Sequence, residues 1–161
     1  MRCLVVYYSL SGTTRRVAEE AARALAADIV EVRAERYAVG RFRVLRAAFD
    51  AWRASLPTID AGGRPVDEYD FVMLLSPVWV GRAATPMRAY LAQNRGKLRR
   101  TAFLLTCRGQ CPPRAFEEMT SLSGVKPEKT FVLREHEIKG KPELPGPLVS
   151  FLTSIRQREA A

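Results

Sequence analysis

Short apolar runs punctuate the chain at Cys3–Tyr8, Ile29–Val32, Phe71–Leu75, Thr101–Thr106 and Lys129–Arg134. Each is too short for anything but a buried strand. Between them, apolar residues recur at intervals of three and four over Thr13–Ala27, Arg41–Ala54, Thr85–Asn94 and Arg114–Ser121, and a last helical pattern runs from Pro147 to Arg158. Strand and helix therefore alternate, which predicts an α/β fold: a parallel sheet covered by helices on both faces. In such sheets ligands bind beyond the carboxyl ends of the strands, where the strand order reverses. Pro57, Gly62, Gly63 and Pro65 mark a loop before the third strand, and 139–147 is another before the last helix. Neither reads as a domain linker and no repeat is present, so residues 1–161 are expected to form a single domain.

Composition narrows the class. At 161 residues and 47% apolar content, the chain is long enough to bury a core without disulfides or metal. No apolar run approaches the roughly 20 residues of a membrane span, and no signal-peptide layout precedes the first strand. Three cysteines, an odd number, fit a reducing compartment. The expectation is a cytoplasmic protein without a membrane span. One histidine, His136, leaves no familiar zinc or iron ligand spacing, so no metal is expected. The net charge of +9 would attract anionic partners, but the arginines are scattered apart from 33–53 and no nucleic-acid-binding motif accompanies them. Nucleic-acid binding is not expected.

Three strand ends carry unusual residues. The first runs into Ser9-Leu10-Ser11-Gly12-Thr13-Thr14, a hydroxyl-rich turn that opens a helix. The first N–H groups of a helix lack intrahelical acceptors and the helix dipole adds partial positive charge there, so an anion fits. An ordinary serine or threonine helix cap is the competing explanation. The third strand leads to Ser76-Pro77-Val78-Trp79-Val80-Gly81, where a tryptophan in a turn can offer a flat apolar face. The fourth leads to Thr106-Cys107-Arg108-Gly109-Gln110-Cys111, whose backbone can meet a polar ring edge.

These three turns, in this order and spacing, resemble those of the flavodoxin family, particularly its short single-domain bacterial members. The resemblance spans essentially the whole chain. It implies a flavodoxin-like three-layer sandwich with a five-stranded parallel sheet in the order 2-1-3-4-5, and FMN as a non-covalent cofactor. It further implies that Ser9, Leu10, Ser11, Gly12, Thr13 and Thr14 receive the phosphate. Pro77, Val78, Trp79 and Gly81 would flank the ring, and Cys107, Arg108, Gly109 and Gln110 would reach its pyrimidine edge. Two departures stand out: the third loop lacks the aromatic that many electron-carrying members stack on the outer face, and the chain is basic where those carriers are acidic. An open outer face would admit a nicotinamide or a quinone. A cation about 8 Å away, at an effective dielectric of roughly 40, contributes on the order of 1 kcal/mol and would make reduction easier, with Arg108 the nearest candidate.

Three functions follow from the resemblance: an FMN-dependent electron carrier serving redox partner proteins, an NAD(P)H-dependent quinone or flavin oxidoreductase, or a binding module on the same fold without flavin. No residue is assigned a catalytic role. Arg41–Ala54 reads as a basic amphipathic helix, with Phe42, Leu45, Phe49 and Trp52 on one face. It either buries that face on the sheet or presents it to an acidic partner or to another subunit of an oligomer. Cys107 and Cys111, three residues apart, do not have the usual redox spacing and are expected to be structural thiols.

Overall fold

The computed structural model describes residues 2–37, 45–46, 49–50, 53 and 56–160. In chain order the elements are β1 (Cys3–Tyr7), α1 (Thr13–Leu25), β2 (Asp28–Glu31), β3 (Phe71–Trp79), β4 (Arg82–Ala83), α2 (Thr85–Gln93), β5 (Arg100–Cys107), α3 (Arg114–Ser123), β6 (Lys129–Arg134), α4 (Glu135–Ile138) and α5 (Gly146–Ala160). Five parallel strands form one sheet in the order β2-β1-β3-β5-β6, and β4 pairs antiparallel with the end of β3. With the short β4 counted, this is the expected 2-1-3-4-5 order.

Strand periodicity explains the two cores. Along β1, Val5 and Tyr7 face one side with Val17, Ala18 and Ala21 of α1 and Leu148, Phe151 and Leu152 of α5. Leu4, Val6 and, just past the strand, Tyr8 face the other, with Met87 and Leu91 of α2 and Ala115 and Met119 of α3. A strand covered on both faces has to be apolar at consecutive positions, and all five residues of β1 are buried. Each such aliphatic side chain contributes about 1.5–3 kcal/mol through burial.

The ends of the expected elements that are described fall within two residues of the sequence expectation, except at β3. Helix α1 stops at Leu25, where Ala26 turns into the left-handed region at φ 49° and its N–H bonds back to the helix. More important for the site, β3 continues past Leu75 to Trp79, through residues expected to form a turn. Ser76 and Pro77 pair with Leu105 and Thr106 of β5, while Val78 and Trp79 pair with Ala83 and Arg82 of β4. Pro77 is tolerated inside the strand because the neighbour on its other side, β1, has already ended opposite Leu75.

Most of the expected basic helix at 41–54 lies outside the described residues. Leu45, Arg46, Phe49 and Asp50 are helical, and the Arg53 N–H donates to the Phe49 carbonyl. Leu45 and Phe49 are 67% and 52% exposed, so these two do not pack on the sheet. Among the described residues no helix is long and apolar enough to cross a membrane, and no group of three or more potential ligands is placed to hold a metal ion.

Candidate functional site

The carboxyl ends of β1, β3 and β5 open into one cleft of about 450 Å³, lined by Leu10, Ser11, Pro77, Val78, Trp79, Val80, Gly81, Thr106, Cys107, Arg108, Gly109, Gln110 and Glu135. The sheet order explains the convergence: β1 and β5 are the two neighbours of β3, so the loops that follow all three emerge side by side.

The first loop bends through Gly12, whose φ of 91° is strained for any residue with a side chain. Gly12 is also the N-cap of α1, and no side chain caps that helix. No acidic residue sits in its first turn either. The helix therefore begins with free N–H donors and a positive dipole end beside the cleft, rather than with the serine or threonine cap that would satisfy them. The hydroxyls divide into two groups. Ser11 and Thr13 lie on the exposed side, 3.5 Å apart. Ser9 accepts the Gly12 N–H at 3.1 Å, which shapes the loop, and the buried Thr14 hydroxyl lies 2.8 Å from that of Thr106. The last contact ties the first loop to the end of β5.

The second wall is a hairpin. Val80 and Gly81 form its two-residue turn, both with positive φ, 50° and 73°. Such primed turns match the twist of the flanking strands, but a β-branched residue there is strained. Ser76 braces the base of the hairpin, its hydroxyl accepting the Ala84 N–H at 2.9 Å. Helix α3 braces the tip: Arg114 Nε donates to the Gly81 carbonyl at 3.4 Å, and Glu118 pairs with Arg82 at 3.4 Å and with the buried Arg88 at 2.9 Å. Trp79 is wedged between two tyrosine rings, Tyr8 and Tyr37, each with a centroid 5.4 Å away and near-perpendicular to it. It both closes the core and lines the cleft.

In the third loop, Cys107 donates to the Gly109 carbonyl at 3.3 Å. Burial raises the Cys107 thiol above its ordinary pKa and, together with the neighbouring Cys107, pushes Cys111 up to about 11. Both are protonated thiols at neutral pH, which suits a structural role. Arg108 is 81% exposed and its Nε donates to Glu135 at 2.8 Å. The cation nearest the cleft is thus neutralised by a carboxylate on the same wall, and solvent screens it further.

Ten of the fourteen expected site residues line the cleft: Leu10, Ser11, Pro77, Val78, Trp79, Gly81, Cys107, Arg108, Gly109 and Gln110. Ser9, Gly12, Thr13 and Thr14 lie just behind it, in the loop and the first turn of α1. Thr106, Val80 and Glu135 were missed. Thr106 and Glu135 share a signal available in the sequence, since each sits at the carboxyl end of a predicted strand. Tyr37 and Asp50, which support Trp79 from behind, carry no such signal: the Tyr37 hydroxyl donates to Asp50 at 2.7 Å and lies 2.9 Å from that of Thr85.

Comparison with protein families matches residues 2–99 to the model described as flavodoxin, a span that holds the first two loops but not the third. Comparison with curated protein sequences returns no match. Among solved structures, a flavoprotein from Lactobacillus acidophilus, crystallised in complex with FMN, superposes with a TM-score of 0.72 at 23% identity, covering 81% of this chain and 92% of that one. A candidate flavoprotein from Bacteroides eggerthii gives 0.75 at 17% identity, covering 96% and 97%. A flavodoxin from the domain Archaea gives 0.54 at 15% identity over the full length of both chains. At these identities the likeness establishes the fold.

Proposed function

The chain belongs to the flavodoxin family, and from that premise we propose that its three-loop cleft binds FMN non-covalently and that the protein transfers electrons through it. The observation that carries this reading is the start of α1: a helix N-terminus opened by a positive-φ glycine, uncapped by any side chain and flanked by the Ser11 and Thr13 hydroxyls. That donor set suits a phosphate dianion held without lysine. Backbone N–H groups of the first turn would bind the phosphate, with Ser11 and Thr13 adding hydroxyl donors. Ser9 and Thr14 would hold the loop in shape through Gly12 and Thr106. Trp79, fixed by Tyr8 and Tyr37, would pack near one face of the ring, and the backbone of Cys107–Gln110 would meet its polar edge. Bound FMN supplies the redox chemistry, and the protein sets its access and potential. Because Glu135 offsets Arg108, any rise in potential expected from the basic composition would come from charges other than this one.

A second reading, an NAD(P)H-dependent quinone or flavin oxidoreductase, is favoured by one feature. The third loop has no aromatic residue, and Arg108, Gly109 and Gln110 are exposed, so this loop would leave the outer face of the ring open. Titrating purified protein with FMN tests the common premise. Quenching of flavin fluorescence at one equivalent is expected, and a colourless protein that leaves FMN fluorescence unchanged would sink both readings in favour of a flavin-free binding module. Steady-state oxidation of NADH or NADPH with a quinone acceptor then separates them, since a carrier shows no turnover.

A further inference from the structure

We propose that the cluster of Arg82, Arg88 and Glu118, beside the Trp79 hairpin, makes the flavin in the cleft easier to reduce through its excess positive charge. This rests on the flavin reading above, and the experiment below separates the two.

None of the three side chains lines the cleft, so they act on a ligand there through their field or through the hairpin they hold. Arg82 of β4 is the pairing partner of Trp79. Its Nη1 lies 3.4 Å from Glu118 Oε1, and Nη2 of Arg88 lies 2.9 Å from the same oxygen. The backbone of Arg88 also leads to the cleft wall. Its N–H donates to the Ala84 carbonyl, and the Ala84 N–H donates to the Pro77 carbonyl, each at 3.0 Å. Ala83 and Ala84 are buried, so protein rather than water lies along this path.

Two arginines share one carboxylate, which leaves one positive charge in excess. The Arg88 side chain is 5% exposed. Its Nε and Nη1, and Oε2 of Glu118, have no hydrogen-bond partner among the described residues. Buried ion pairs are weak sources of stability even when fully hydrogen-bonded, and this one leaves three polar atoms unmatched, so bracing alone accounts poorly for it. Burial acts most strongly against charge on Arg88, Glu118 favours it and Arg82 repels it. A guanidinium nevertheless stays protonated. Held out of water, its charge is screened little, whereas Arg108 is 81% exposed and paired with Glu135. Reduction of FMN by two electrons with uptake of one proton adds one negative charge to the ring, which the cluster attracts. The phosphate keeps its charge, so its own attraction cancels between the two states.

The test measures dissociation constants of the purified full chain for oxidised FMN and for FMN reduced anaerobically with dithionite, and takes their ratio. Arg88→Met and Arg82→Gln each remove a positive charge and should weaken reduced FMN relative to oxidised FMN about threefold. Glu118→Gln should shift the ratio about threefold the other way. Arg88→Met combined with Glu118→Gln keeps the excess at one charge, and should restore the ratio to within about twofold of wild type although both groups are gone. Arg99→Gln, at the opposite end of the sheet and 66% exposed, should move it less than about twofold. The Arg88→Met shift should persist between about 0.05 and 0.5 M salt, as expected of a buried charge. Glu118→Gln leaves Arg88 without a carboxylate and is the variant most at risk of unfolding. Circular dichroism checks each variant, and Arg82→Gln with the double variant carries the test without it. A brace acting by shape alone moves both affinities together and gives arginine and glutamate variants shifts of the same sign. That result overturns the proposal, as does a double variant that fails to restore the ratio or an Arg99→Gln shift as large as that of Arg88→Met. Wild-type protein that binds neither form of FMN refutes the flavin reading and this inference with it, while binding of both with an unmoved ratio refutes this inference only.

Discussion

Tyr37 meets Trp79 edge-on, ring centroids 5.4 Å apart and planes at 80°, while its hydroxyl donates to the buried carboxylate of Asp50. The wall of the cleft is therefore tied to a polar anchor in the segment after β2. Two substitutions separate the ring from the hydroxyl. Tyr37→Phe keeps the edge contact and removes a hydrogen bond to a carboxylate, which should cost about 1.5–3 kcal/mol. Tyr37→Ala also removes the ring, and about 3–5 kcal/mol is expected. Urea unfolding midpoints measure both, and equal losses would mean that the ring contributes nothing at Trp79.

The turn of the Trp79 hairpin should respond in opposite directions at adjacent residues. Val80, at φ 50° and 52% exposed, pays a backbone cost and recovers little burial. Val80→Gly is expected to be neutral or to stabilise by up to about 1 kcal/mol. Gly81→Ala places a Cβ 2.6 Å from Arg114 Nη2 at a φ of 73°. The guanidinium can swing away, but only by giving up the Gly81 carbonyl, so a loss of about 1–2 kcal/mol is expected. Thermal melts of the two variants decide, at about 2–4 °C per kcal/mol for a chain of this length.

How far the sequence reached is clearest at β1 and at Trp79. The run Cys3–Tyr8 could be read directly, because a strand buried on both faces leaves no alternation to interpret. The strand order followed from alternation with helices and from the family resemblance. Trp79 lines the cleft, but the sequence places it in a turn, since nothing local announces that β4, only two residues long, will extend β3 by pairing with it. The pairing of Arg108 with Glu135 joins residues 27 positions apart on two different strand ends, and only the sheet register brings them together. Asp50 was overlooked for a related reason. In a helical pattern rich in arginine and aromatic residues, nothing local marks a single aspartate as buried. The hydrogen bond from Tyr37 draws it inward, while Leu45 and Phe49 are left exposed.

Gly12 offers a test of the phosphate turn with a small steric confound. A Cβ built there meets nothing within 4 Å, so the penalty of Gly12→Ala comes from φ 91° and not from a clash. The substitution should cost about 1–2 kcal/mol of stability and weaken FMN binding by about tenfold or more if the loop conformation is what presents the N–H donors. Isothermal titration with FMN gives the affinity. An unchanged affinity in a destabilised variant would detach Gly12 from cofactor binding.

Cys111 should behave as a poorly reactive thiol. Burial first, and the adjacent Cys107 second, push it up to about 11, so at pH 8 about one molecule in a thousand carries the thiolate. Alkylation of the Cys107→Ser variant by iodoacetamide, which isolates Cys111 from its nearest thiol, should still accelerate about tenfold per pH unit well above pH 9. A rate that levels off near the ordinary cysteine value of about 8.5 would show that the loop opens to solvent.

Asp50 should write itself into the acid limb of the stability curve. The Arg36 guanidinium holds its carboxyl below the usual range, the Tyr37 hydrogen bond acts in the same direction, and burial opposes both. A carboxylate whose folded pKa is depressed adds stability that is fully present above its unfolded value of about 3.9 and is lost as pH falls through the folded value. The difference in unfolding free energy between the wild-type protein and Asp50→Asn should therefore be flat from about pH 7 to 5 and shrink steadily below about pH 4. Other carboxylates titrate alike in both proteins and cancel in that difference. A gap that stays constant down to about pH 2.5 would mean that the charge on Asp50 contributes nothing to holding Arg36 and Tyr37, and that the inward anchor is a matter of shape alone.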